Sequence, residues 1–240
     1  MHKGIERVLV TRQPEQSVEF INLLSTNGFY PFLLPLIETV QLSNLPKHNY
    51  YDYIIFTSGN AVIYSLHFLR VLKYENLVAV GEKTKSQLEY YGFNVDIVPE
   101  EFSAKGLMNF FDTQHIESKS ILIPTTKIAK DDLANYLKDR GCLVERCFVY
   151  DTIEKIYAKG YLEDFIKRFR IEVITFASPS AVRSFFKQIN DLDLKNYLFV
   201  AIGNVTAKEL KGYGVECIYP DRYTINDLVN LLIKIKTSGG

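Results

Sequence analysis

Tryptophan is absent from this 240-residue chain, and cysteine and histidine are scarce, at three and four residues. Cys142, Cys147 and Cys217 are odd in number and sparse, which argues against a disulfide framework and suits a reducing cytoplasm. Cys142 and Cys147 have no nearby histidine to complete a zinc site, so they read as structural thiols in strands. His2, His48, His67 and His115 have no second His or Cys at metal spacing, so no metal is expected and neither a zinc enzyme nor a Ser–His–Asp hydrolase is indicated. Charge of one sign is also missing: the formal net charge is +0, whereas a nucleic-acid coat would need a basic excess. No apolar run approaches the ~18–20 residues that span a bilayer. The charged start, Met1 to Arg7, has no apolar segment behind it, so no secretion signal is read there. The dinucleotide fingerprint GxGxxG, the phosphate loop GxxxxGK[ST] and the GxSxG nucleophile elbow are all lacking.

What is present describes a globular chain. Hydrophobic residues are 47% and charged residues 23% of it, which excludes disorder. At ~150 residues per domain, the length allows one large or two small domains. Short apolar runs recur at Arg7–Thr11, Tyr53–Thr57, Leu77–Val80, Ile121–Ile123, Glu172–Phe176 and Leu198–Ile202. Continuous runs of that length suit strands covered on both faces of a parallel sheet. Amphipathic segments lie between them. One begins after Pro14 and stops at Gly28; others stop at Gly92, Gly141 and Gly214. The alternation predicts an α/β fold with parallel sheets.

The chain repeats itself. Phe56-Thr57-Ser58-Gly59-Asn60-Ala61-Val62 matches Phe176-Ala177-Ser178-Pro179-Ser180-Ala181-Val182 at four of seven positions, 120 residues on. Ala79-Val80-Gly81-Glu82-Lys83-Thr84 corresponds to Ala201-Ile202-Gly203-Asn204-Val205-Thr206, and Val8…Gly28…Thr39 to Ile121…Gly141…Thr152. Two similar α/β halves facing one cleft are expected, and ligand sites gather at such interfaces. Pro35–Val40 and Phe148–Ile153 occupy equivalent places and look extended, as β-like connectors.

The repeated polar tips sit where strands end and helices begin. Helix N-termini offer unpaired N–H groups and partial positive charge, which suits a ligand with several carboxylates or phosphates. For any single tip, capping alone accounts for such residues, and it is their occurrence in both halves that favours a shared ligand role. Arg12, Lys83, Lys105, Lys127, Lys130 and Arg183 lie near the tips and read either as partners of an acidic ligand or as solvated helix residues. Arg12 is the strongest of them, directly following a buried run. Tyr150 lies in a connector, where its phenol either donates a hydrogen bond at the cleft or packs.

In the order and spacing of these pieces the chain resembles the uroporphyrinogen-III synthase family over nearly its whole length. The carrying pieces are Leu9–Arg12, Ile55–Val62, Ala79–Thr84, Val149–Thr152, Thr175–Val182 and Ala201–Ala207. The resemblance implies two α/β domains joined by a two-stranded β connector. One would hold residues 1–37 with 154–240 and the other 41–148, with connectors at 38–40 and 149–153. It implies cyclisation of hydroxymethylbilane to uroporphyrinogen III in the cytoplasm, without metal or organic cofactor. The expected partners are that polycarboxylate substrate and, transiently, the deaminase that makes it; no nucleic acid or membrane is involved. By family position, Tyr150 is a candidate general acid. Arg12, Ser58, Gly59, Asn60, Thr84, Lys105, Ser178, Ser180 and Thr206 are candidate substrate-binding residues. One departure is Thr125–Lys130, where many members carry glycine and arginine and this chain has lysines. The competing reading is a noncatalytic two-domain binding module for a polycarboxylate small molecule. Thr237–Gly240 reads as a frayed tail.

Overall fold

The apolar runs form strands covered on both faces. The structure is a computed structural model and describes residues 5–238. It begins with β1 (Arg7–Val10), a 3-10 turn at Pro14–Gln16, α1 (Val18–Thr26) and β2 (Tyr30–Leu33). Pro14 opens the 3-10 turn rather than α1, because the Ser17 hydroxyl folds back to donate to the Gln13 carbonyl at 2.7 Å. There follow β3 (Ile37–Gln41), β4 (Tyr50–Phe56), α2 (Gly59–Leu69), β5 (Lys73–Ala79), α3 (Glu82–Tyr90) and α4 (Ala104–Asp112). Next come β6 (Ser120–Thr126), α5 (Asp132–Asp139), β7 (Leu143–Glu154), α6 (Tyr161–Arg168) and β8 (Val173–Phe176). The last elements are α7 (Pro179–Phe186), β9 (Leu198–Ala201), α8 (Asn204–Gly212) and α9 (Ile225–Ser238). Thr237 and Ser238 are therefore helical and not frayed, with the Thr237 hydroxyl donating to the Ile233 carbonyl at 3.0 Å; Gly239 and Gly240 lie outside the described residues.

The chain divides into two compact units, Met1–Glu38 with Ile153–Gly240, and Thr39–Thr152. The first carries a parallel sheet in the order β2-β1-β8-β9. Leu9, Ile174, Phe176, Phe185 and Phe199 fill one side of it, and Val8, Val10, Phe20, Val200 and Leu232 the other. The second has the order β3-β7-β6-β4-β5, with parallel pairing from β7 through β5. Ile54, Phe56, Leu77, Leu122 and Val149 pack on one face and Ile55, Val78, Phe111, Ile121 and Leu137 on the other. Each such side chain removed from water stabilises its unit by about 1.5–3 kcal/mol. The two extended segments fall on β3 and the end of β7, which are neighbours in this sheet.

Gly28 and Gly141 occupy equivalent places in the repeat and end α1 and α5 at φ +74° and +80°. Only glycine enters that left-handed region without steric cost, so each provides a sharp stop. Parallel pairing of β4 with β5 and of β8 with β9 then sets the tips Ser58, Gly81, Ser178 and Gly203 beyond the carboxyl ends of those strands. Open α/β sheets bind ligands at that edge.

Candidate active site

In the second unit, Ser58 follows β4 in an extended conformation, and its hydroxyl oxygen accepts from the Ala61 N–H at 3.2 Å. That cap opens α2 with Gly59 and Asn60 in its first turn. The same oxygen lies 3.4 Å from the Tyr150 hydroxyl. Tyr150 is packed, at 8% exposure, and its ring stacks on Tyr64 with centroids 5.5 Å apart. Tyr64 in turn donates from its hydroxyl to the Thr39 carbonyl at 3.2 Å. The phenol is thus held from two sides, with its oxygen at the helix tip. A phenol held beside a helix N-terminus can give a proton to a departing hydroxyl while the N–H groups face carboxylates.

The first unit repeats the cap: the Ser178 hydroxyl oxygen accepts from the Ala181 N–H at 3.3 Å and meets the Ser180 hydroxyl at 3.0 Å. Arg12 follows β1. Its Nε is buried without a hydrogen-bond partner, and burial lowers its pKa despite the counteracting charge of Glu19. Thr11 and Thr175 fasten β1 to β8 at that edge, each hydroxyl donating to a carbonyl of the other strand at 2.7 Å.

Thr84 and Thr206 are buried in the first turns of α3 and α8. The glycines ahead of them, Gly81 and Gly203, are extended rather than left-handed, and space explains them. A Cβ at Gly81 would lie 2.9 Å from the Phe102 side chain, and one at Gly203 2.7 Å from the Tyr223 ring. Both aromatics are largely exposed, at 60% and 52%, so each lies as an uncovered apolar wall against a helix tip.

The other basic candidates lie toward solvent or in ion pairs. Lys105 is exposed in the first turn of α4, three residues after the Phe102 that lies against Gly81. Lys83, Lys127 and Lys130 are exposed, and Arg183 is paired with Glu209 at 3.2 Å. The loop after β6 is instead governed by Arg146 of β7. Its guanidinium donates to the Ala129 carbonyl at 3.0 Å and the Thr126 carbonyl at 3.5 Å, and pairs with Asp131. Sequence reasoning missed Arg146, Tyr64 and Thr126; the roles of Arg146 and Thr126 follow from strand register and that of Tyr64 from the packing of α2 against Tyr150, neither of which the sequence displays before folding. The three cysteines are free thiols; burial pushes Cys147 up to about 11 and raises Cys142 and Cys217. Among the described residues no group of three or more His, Cys, Asp or Glu side chains is arranged to hold a metal, and no helix is long and apolar enough to cross a membrane.

Residues 18–230 match the family model described as Uroporphyrinogen-III synthase HemD. The chain belongs to the uroporphyrinogen-III synthase family. A relative from Methanocaldococcus jannaschii is 31% identical over 243 residues, covering 96% of this chain and 99% of its own length. The uroporphyrinogen-III synthase of Chlorobaculum parvum is 25% identical over 224 residues, covering 88% of this chain and 91% of its own. The crystal structure of uroporphyrinogen-III synthetase from Helicobacter pylori 26695 shares the fold, with a TM-score of 0.66 at 18% identity over 96% of this chain and 99% of that one. The stretch matched to the uroporphyrinogen-III synthase family contains the tips of both units and Tyr150, while Arg12 precedes it.

Proposed function

We propose that this chain is a lyase that cyclises hydroxymethylbilane to uroporphyrinogen III. The observation that supports this best is the family match over residues 18–230, which takes in the Ser58–Tyr150 pair. The reaction needs a hydroxyl to leave as water, the resulting cation to be shielded, and the chain's ends to be held while the last ring inverts. Tyr150 gives its phenolic proton to the leaving hydroxyl as the C–O bond breaks toward that oxygen. The last ring then attacks through its substituted carbon, forming a spiro intermediate that opens, turns and rejoins. The proton shed on closure returns to the phenolate, so atoms and charge balance. No oxidation or reduction occurs, and positioning does most of the work.

Binding follows from charge. The tips at Ser58-Gly59-Asn60, Thr84, Ser178-Pro179-Ser180 and Thr206 offer N–H donors to substrate carboxylates, with Arg12 as a charged partner and Lys105 as an outer one. The substrate reaches the enzyme in the cytoplasm from the deaminase that makes it, through transient contact. The test is product isomer analysis with freshly generated hydroxymethylbilane. Type III product above the enzyme-free control supports the lyase; Tyr150→Phe should lower its rate by about 100-fold. Type I product alone from folded protein contradicts the reading and favours a polycarboxylate-binding module.

A further inference from the structure

Three buried side-chain polar atoms lack a hydrogen-bond partner among the described residues: Arg12 Nε, Ser65 Oγ and Thr126 Oγ1. A buried hydroxyl without a partner is unfavourable, and native proteins keep few of them. Thr126 ends the central strand of its sheet and is 6% exposed. By the repeat that carries Val8 onto Ile121, Arg12 corresponds to the neighbouring Thr125. Two of the three unpaired groups therefore sit at the carboxyl ends of corresponding strands, β1 and β6, where this sheet type receives ligands.

Strand order says what Thr126 faces. β6 lies between β7, which carries Tyr150, and β4, which leads into Ser58. The Tyr150 hydroxyl reaches the Ser58 oxygen at 3.4 Å, so its ring passes over the end of β6. The register partner of Tyr150 on β6 is Thr126, and neighbours in register point to the same face. The register is also shifted at this place: Thr125 pairs with Phe148 and Thr126 with Tyr150, skipping Val149. Val149 and Tyr150, though consecutive, consequently share one core cluster. A bulge of this kind re-aims a side chain, and here it turns Tyr150 onto the face of Thr126. The backbone at Thr126 is fixed, since its carbonyl accepts from the Ala129 N–H at 3.2 Å and from Arg146.

We propose that Thr126 is a positioning residue for Tyr150, its unspent hydroxyl donating to the phenolate that Tyr150 becomes after proton transfer. The contact to Ser58 is long, at 3.4 Å, and Thr126 is the register partner of Tyr150 on the same face. The proposal rests on Tyr150 acting as the general acid, and it adds a residue outside the candidate catalytic and substrate-binding set.

The test uses Thr126→Val, which keeps the shape and removes the hydroxyl, Thr126→Ala as a second deletion, and Thr126→Ser, which restores the hydroxyl. In the full chain, Thr126→Val is expected to hold or raise the melting temperature, because an unpaired group is removed. Its kcat for type III product should fall about tenfold with KM within twofold, and Thr126→Ser should recover most of the rate. Alongside, protein labelled at tyrosine ring carbon Cζ gives a Tyr150 resonance, assigned with Tyr150→Phe. That resonance should move in Thr126→Val and Thr126→Ala and return in Thr126→Ser. An unmoved resonance, or an unchanged kcat with a moved one, overturns the proposal. Should the parent protein yield only type I isomer, the lyase reading fails by itself, while the resonance still decides whether Thr126 acts on Tyr150.

Discussion

Glu163 shows what one carboxylate contributes. It stands in the first turn of α6, and one of its oxygens accepts from the backbone N–H groups of Asn190 and Asp191, the latter at 2.8 Å. Those two bonds lower its pKa from the ordinary glutamate value. A depressed folded pKa means the stabilisation is present above the unfolded-state value and disappears as pH falls through the folded one. Glu163→Gln should therefore cost roughly 1 kcal/mol at neutral pH in a urea melt, a difference that shrinks in acid. A cost that stays constant down to strongly acidic pH would contradict this. Arg146 is a second such residue. Arg146→Ala takes the guanidinium from the Ala129 and Thr126 carbonyls and from Asp131 together, and should lower stability by about 1–2 kcal/mol while hydrogen exchange quickens across 126–131. Neither role was legible beforehand. Arg146 looks like any charged strand residue until its strand is set beside the loop it holds, and Thr126 is distinguished only by lacking a partner after folding. Ser58 and Ser178 were more visible, since the repeat aligns them, and they share an extended conformation with the same capping bond.

Elements were legible in proportion to how apolar they are. β1, β4, β8 and β9 are runs buried from water on both faces, and they stand out as such. β2 was not visible because Pro31 interrupts it; the sheet accommodates that residue by placing the strand at its edge. The front half of β7 hid behind Glu145 and Arg146, and the register shift ahead of Tyr150 has no sequence signal at all. The glycines that precede α3 and α8 make the clearest element-scale test. Their backbones are unstrained, so a methyl group acts only by displacing Phe102 or Tyr223. Gly203→Ala, whose Cβ would meet three ring atoms within 3.0 Å, should destabilise by about 1–2 kcal/mol and weaken the near-ultraviolet tyrosine signal. Gly81→Ala should do less, because the nearest atom there is the Phe102 Cβ and only one ring carbon lies as close as 3.1 Å. Equal and negligible effects at both would mean that the aromatic walls are not seated as described.

At the scale of the whole molecule, duplication explains the resemblance of the two units but not how the chain is shared between them. Repetition alone suggests a cut near the middle of the chain, whereas the units are one continuous segment, Thr39–Thr152, and one assembled from both chain ends. The continuous unit has its own two-sided core, so the fragment 39–152 should fold alone, with native-like circular dichroism and a cooperative urea transition. A non-cooperative melt would show that it depends on the other unit. The candidate residues are divided between the units, with Tyr150 and Ser58 in one and Arg12 and Ser178 in the other. The most direct measurement is therefore the isomer ratio of uroporphyrins after oxidation of the product formed from fresh hydroxymethylbilane by the complete chain. Type III isomer well above the enzyme-free control, falling about 100-fold in rate for Tyr150→Phe, is the expected result. Type I isomer alone, from protein whose folding is verified, would contradict the account.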